Sequence, residues 1–151
     1  MNMADSVNIR RALVADAEAV HAVLVSATDE IPLTYQFDTD PYKKWVRDHC
    51  KAREVWIAYI GEELAGIMVM EVNEIYYLVT KQEFRRKGVA QALVRHAVAH
   101  IRHKYSGSGV KLKVKEKNSA MLAFLEREGF RRHGVLIAQP GWLVYYFGEV
   151  R

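Results

Sequence analysis

The sequence predicts one domain of mixed α/β class, with seven strands and four helices in the order βααβββαβαββ. Three observations predict it. Apolar residues recur at helical spacing in separate segments, short runs rich in β-branched and aromatic residues lie between them, and no linker rich in Pro, Gly or Ser interrupts the chain. At 151 residues, half of them hydrophobic, the chain 1–151 has the length of a single domain and enough apolar side chains for a core.

Val7 to Arg11 reads as the first strand. Asp16 is placed to cap a helix on which Ala17, Val20, Val23, Leu24 and Ala27 share one face, ending between Ser26 and Asp29. Thr28 to Asp40 has no period and reads as a loop. Asp40-Pro41 then pairs a capping residue with proline at a helix start, and that helix runs to about Ala52. Val55 to Ile60, Leu64 to Glu71 and Glu74 to Thr80 form an antiparallel meander, turning first at Gly61. From Gly88 to about Lys104, Val89, Leu93, Val94, Ala97, Val98 and Ile101 make a strongly amphipathic third helix. Ser106-Gly107-Ser108-Gly109 ends it. Val110 to Val114 is a strand, Ser119 to Glu128 a helix closed by Gly129, and two strands flank Pro140-Gly141.

Charge divides the chain unevenly. Residues 1–80 hold 7 Lys and Arg against 13 Asp and Glu, whereas residues 81–151 hold 15 against 5. The second half suits a polyanion and the first a cation. Nucleic acid is disfavoured, because the basic residues are spread over several elements without interleaved aromatics, and a phosphate-bearing cofactor suits them better. No apolar stretch reaches membrane-spanning length, and Met1 to Ser6 lacks a basic region followed by an apolar one, so a cytoplasmic location is expected. The single cysteine, Cys50, fits a reducing compartment. His49 adjoins it, but neighbours on a helix point about 100° apart, which argues against a nucleophilic pair.

The segment with the clearest chemistry follows the third strand of the meander: Lys81-Gln82-Glu83-Phe84-Arg85-Arg86-Lys87-Gly88-Val89-Ala90, leading directly into the amphipathic helix. A helix start offers unpaired N–H groups and a partial positive charge, Gly88 lets an anion approach the backbone, and three consecutive cations raise the potential. A solvated basic turn would have the same residues. Here the sequence resembles the Gcn5-related N-acetyltransferase (GNAT) superfamily, whose R/Q-x-x-G-x-G/A signature is met by Arg85, Gly88 and Ala90. A second family pattern, Asn followed eleven residues later by Gly-Phe, is met by Asn118 and Gly129-Phe130, with Phe124 between. The likeness runs from Val7 to about Val150.

The resemblance implies a mostly antiparallel twisted sheet with a splayed parallel pair, its fourth and fifth strands, and helices on both faces. It implies that Arg85, Arg86, Lys87, Gly88, Val89 and Ala90 hold the pyrophosphate of acetyl-CoA on backbone amides, and that Leu78, Val79 and Thr80 pair with the pantetheine arm, which Asn118 contacts from the other side. An N–H near Val79 would stabilise the oxyanion of the thioester. The reaction needs a neutral amine and therefore a base. Glu74 lies eleven residues before Arg85, where the histone-acetylating branch carries its glutamate base, and Val72, Ile75, Tyr76 and Tyr77 are expected to give it an apolar setting.

Leu125 departs from many relatives, which carry there a tyrosine that protonates the thiolate; Tyr76, Tyr145, Tyr146 or water would have to serve, or no acid is needed. Asp29, Glu30, Tyr35 and Phe37 lie in the loop that relatives place over the acceptor, and an acidic, aromatic loop favours a cationic amine, whether small molecule or peptide. Asp38 and Asp40 add to its charge. His96, His100 and His103 share helical spacing but lack a carboxylate or cysteine to complete a metal site, so no metal is expected. Lys111, Lys113, Lys115 and Lys117 alternate as a solvent face. Relatives commonly dimerise, and Trp142 to Phe147 is apolar enough to join a second copy. A non-catalytic acyl-CoA-binding module and a nucleic-acid-binding domain stand as the alternatives.

Overall fold

The structure is a computed structural model and describes residues 6–27, 38–104, 109–135 and 141–148. Its strands are β1 (Val7–Arg11), β2 (Val55–Ile60), β3 (Glu63–Glu71), β4 (Glu74–Thr80), β5 (Val110–Lys115), β6 (Arg131–Val135) and β7 (Trp142–Phe147). Its helices are α1 (Ala17–Ser26), α2 (Asp40–Lys51), α3 (Val89–Lys104) and α4 (Ser119–Arg127). The seven strands form one sheet in the order β1-β2-β3-β4-β5-β7-β6, with β4 and β5 parallel over the pairs Glu74↔Lys111 and Ile75↔Leu112. The described pairings β1/β2, β2/β3, β5/β7 and β6/β7 are all antiparallel. No helix among the described residues is long and apolar enough to cross a membrane. Contacts divide the chain into two units, Met1–Met70 with Tyr77–Leu93, and Glu71–Tyr76 with Val94–Arg151.

In the first unit, α1 and α2 lay Val20, Val23, Leu24, Val46 and Cys50 on Val55, Ile57, Ile67, Val69, Tyr77 and Val79, burying an apolar stripe against one sheet face. Two helix starts differ from the expected ones. The cap of α2 is Thr39, whose extended φ of −139° and ψ of 156° the cap position requires, so Asp40 becomes the first helical residue. The chain enters α1 through a 3₁₀ turn over Val14–Asp16, which leaves Asp16 already helical and unable to cap with its side chain. Its carboxylate reaches back instead, accepting the N–H of Leu13 at 2.7 Å and two guanidinium N–H groups of Arg10 at 2.9 and 3.2 Å.

On the opposite face of β3 lies a contact that sets the start of α3. Gly66 has no side chain, and a Cβ there would stand 2.7 Å from the carbonyl oxygen of Val79 and 2.8 Å from Val89 Cγ1. Only glycine lets β4 and the first residue of α3 come this close.

In the second unit, Val110, Leu112 and Val114 are buried on β5 while Lys111, Lys113 and Lys115 alternate with them. The end of α4 is a Schellman stop: Phe130 N–H donates to Leu125 O at 2.9 Å and Gly129 N–H to Glu126 O at 3.1 Å, with Gly129 at φ 96°. Leu125 and Phe130, both fully buried, are the apolar pair of that motif. β7 is paired on both sides, by β5 and by β6.

Gly66→Ala should destabilise the protein by about 1–3 kcal/mol, because the atom in the way is backbone and cannot rotate aside; denaturant unfolding measures it. The carboxyl pKa of Asp16 is lowered, chiefly by the bond from Arg10 and further by the Leu13 N–H. A depressed folded value stabilises above the unfolded value of about 4 and ceases to do so as pH falls through the folded one. Asp16→Asn should therefore lower Tm at neutral pH, and the gap should close progressively below about pH 4 in a calorimetric pH series; a constant gap would show that the charge is not what matters.

Candidate functional site

The segment after β4 is shaped by its ends. Lys81 N–H donates to Ala65 O at 2.8 Å, a 3₁₀ turn covers Gln82–Phe84, and Arg85 is extended. Arg86 then takes φ 64° and Gly88 φ 80°. A bond at the start of α3 runs from Ala92 N–H to Gly88 O at 2.9 Å, and the N–H groups of Val89 and Ala90 precede any acceptor the helix can offer. Left-handed residues within a turn gather successive N–H groups toward one side, and the positive end of a 16-residue helix lies directly behind them. Arg85, Arg86, Lys87 and Gly88 are exposed, while Val89 is buried under Gly66. A non-glycine residue in the left-handed region costs about 1–2 kcal/mol, a kind of strain that clusters at ligand-binding turns.

Along β4, Val79 is buried in the core with Tyr77, whereas Leu78 and Thr80 are half-buried on the other face. Lys81 turns its N–H to β3, and the two-residue period gives Val79 the same direction. The N–H groups of Leu78 and Thr80 point away from β3.

Glu74 and Asn118 belong to the second unit. Asn118 caps α4, its Oδ1 accepting the N–H of Met121 at 3.2 Å. Glu74 opens β4 after a two-residue turn, Val72-Asn73, that is tied to the start of β5: Asn73 Nδ2 donates to Gly109 O at 2.8 Å, and Lys111 N–H to Asn73 O at 2.9 Å. The Glu74 side chain is 15 % exposed, with Lys113 Nζ 3.2 Å from Oε2 and Lys111 Nζ 3.6 Å from Oε1. Of the residues expected to give it an apolar setting, Ile75 and Tyr77 do not share its strand face. Ile75 is buried on the opposite strand face, Val72 is 68 % exposed in the turn, and Tyr77 is buried in the first unit's core. Tyr76, 41 % exposed, shares the Glu74 face through the two-residue period.

Asp29, Glu30, Tyr35 and Phe37 lie outside the described residues. Of the other tyrosines, Tyr145 is buried and its hydroxyl donates to Glu126 Oε2 at 3.1 Å, burial and that carboxylate together raising its pKa. Tyr146 packs edge-on against His133. The Cys50 thiol is buried and pushed up to about 11, chiefly by desolvation, and His49 turns its Nδ1 to the carbonyl of Trp45 at 2.8 Å. Neither property makes a nucleophile. Among the described residues no three His, Cys, Asp or Glu gather as metal ligands.

Three residues escape the sequence reading. Gly66 was legible as a glycine inside a strand run, the usual mark of close backbone approach. Lys111 and Lys113 were read as a solvent face; their contact with Glu74 depends on a parallel register that no local pattern encodes.

A search of curated protein sequences returns no match. Solved structures do match the fold. An acetyltransferase of the GNAT family from Bacillus cereus ATCC 10987 superposes with TM-score 0.75 and 14 % identity, over 97 % of this chain and 99 % of that one. Ard1 from Thermoplasma volcanium gives TM-score 0.74 and 17 % identity over 96 % and 99 %. The PaiA N-acetyltransferase of Thermoplasma acidophilum, solved in complex with coenzyme A, gives 0.66 and 16 % over 95 % and 99 %. The model of the acetyltransferase (GNAT) family matches residues 20–130, a span that takes in α2, the β2–β4 meander, the Arg85 to Ala90 turn, Asn118 and the Gly129-Phe130 stop, and the chain belongs to that family.

Proposed function

We propose that this protein is an acetyl-CoA-dependent N-acetyltransferase that moves the acetyl group to a primary amine by direct attack. The observation that carries the reading is the start of α3, where Arg86 and Gly88 in left-handed conformation precede the N–H groups of Val89 and Ala90 at the positive end of the helix, beside three exposed cations. The diphosphate of the cofactor would lie against residues 85–90, its charge met by the helix terminus. Leu78, Val79 and Thr80 would offer backbone to the pantetheine, with the N–H of Leu78 or Thr80 as donor to the thioester oxygen. Asn118 and Glu74 enter through the family resemblance. Glu74 is the proposed base, and the amine that it deprotonates attacks the thioester carbon. The C–S bond then breaks, and free coenzyme A leaves. Leu125 is buried in the α4 stop and supplies no proton, so the thiolate leaves unaided or takes a proton from water or Tyr76. The acceptor is a small-molecule or peptide amine; the acidic segment containing Asp29, Glu30, Tyr35 and Phe37 would favour one that is cationic.

Acetyl-CoA should raise Tm in a thermal-shift experiment. Gly88→Ala should lose most of that shift while costing about 1–2 kcal/mol of stability, since a Cβ at Gly88 meets nothing within 4 Å and the penalty is confined to its backbone. An undiminished shift in the variant would remove the turn from the cofactor site. Thiol release from acetyl-CoA across a panel of amines should fall by about 100-fold or more in Glu74→Gln; unchanged turnover would remove Glu74 as the base.

A further inference from the structure

We infer that Lys113 is itself an acceptor, so that the protein acetylates its own β5 strand. The inference rests on the reading of Glu74 as base. A primary amine is the chemical class this reaction consumes, and the amine nearest the proposed base belongs to the chain: Lys113 Nζ stands 3.2 Å from Glu74 Oε2, within range for proton transfer. The position is held by the fold. The parallel register sets Glu74 against Lys111, the two-residue period puts Lys113 on the same face as Lys111, and the Asn73 bonds to Gly109 and Lys111 anchor the turn that precedes Glu74. The Lys113 side chain is 35 % exposed and remains accessible to a donor.

Charge points the same way. Two ammonium groups share one carboxylate, each on its own oxygen, which leaves a surplus positive charge among half-buried groups. Acetylating Lys113 removes that surplus and leaves a matched pair, Lys111 with Glu74. In the step, the Lys113 ammonium gives a proton to the Glu74 carboxylate, and the neutral nitrogen attacks the thioester carbon of acetyl-CoA. The new N–C bond replaces C–S, and the thiolate takes up the second amine proton directly or through water. Glu74 returns its proton to solvent. The products are Nε-acetyl-Lys113, free coenzyme A and one proton.

The full chain, incubated with isotope-labelled acetyl-CoA and digested, is read by peptide mass spectrometry for label at each lysine against time. Lys115 and Lys117, on the same segment, report uncatalysed acetylation. Lys113 should label about 100-fold faster than either, and Glu74→Gln should bring it down to their rate. Lys113→Arg should remove the fast phase and leave the slow labelling of Lys115 and Lys117. Thermal shift with acetyl-CoA and turnover of added amines are measured on the same preparations. Turnover of added amines with Lys113 labelling no faster than Lys115 overturns self-acetylation and leaves the enzyme reading standing. No shift, no turnover and no fast label overturns both. Fast labelling that persists in a folded Glu74→Gln overturns the role of the carboxylate and with it this inference.

Discussion

The first unit depends on an absence of atoms. At Gly66 the carbonyl of Val79 and the methyl of Val89 occupy the space a side chain would need, so β3, the end of β4 and the first residue of α3 are fixed together. The exposed turn from Arg85 to Gly88 hangs between two of these fixed points. Both ends of the turn are therefore fixed by close packing, while Arg85, Arg86, Lys87 and Gly88 between them are exposed.

How much of this was legible depended on the range of the forces involved. The bounds of β1, β2 and β4 follow from side-chain alternation and composition, which are local, and the structure reproduces them. The apolar stripe of α1 is likewise local, and Val20, Val23, Leu24 and Ala27 are all buried. The helix starts moved by small amounts because Thr39 and Asp40 are both competent caps and sequence alone does not choose between them. The surroundings of Glu74 were illegible for a different reason. Local pattern offered its chain neighbours, but a strand turns alternate residues to opposite faces, and the groups that reach its carboxylate come from β5, some forty residues on.

Glu74 illustrates how a family signature can carry a role without carrying its environment. The spacing from Arg85 transfers from the resemblance, whereas the two lysines come from this chain's own β5. A carboxylate with two cations beside it differs from one in an apolar pocket: its charge is compensated within the strand pair, and an incoming ammonium must compete with groups already present. Under the proposed role of Glu74, an added amine would exchange places with these partners, Lys113 being the nearer of the two.

The stop at the end of α4 has a consequence for proton supply. Leu125 sits at the position where many relatives keep a tyrosine, and here it is the apolar partner of Phe130 in the Schellman motif, without solvent contact. A tyrosine placed there would carry its hydroxyl into a position that is closed to solvent in this fold, so the helix stop and a proton donor make opposite demands on the same residue.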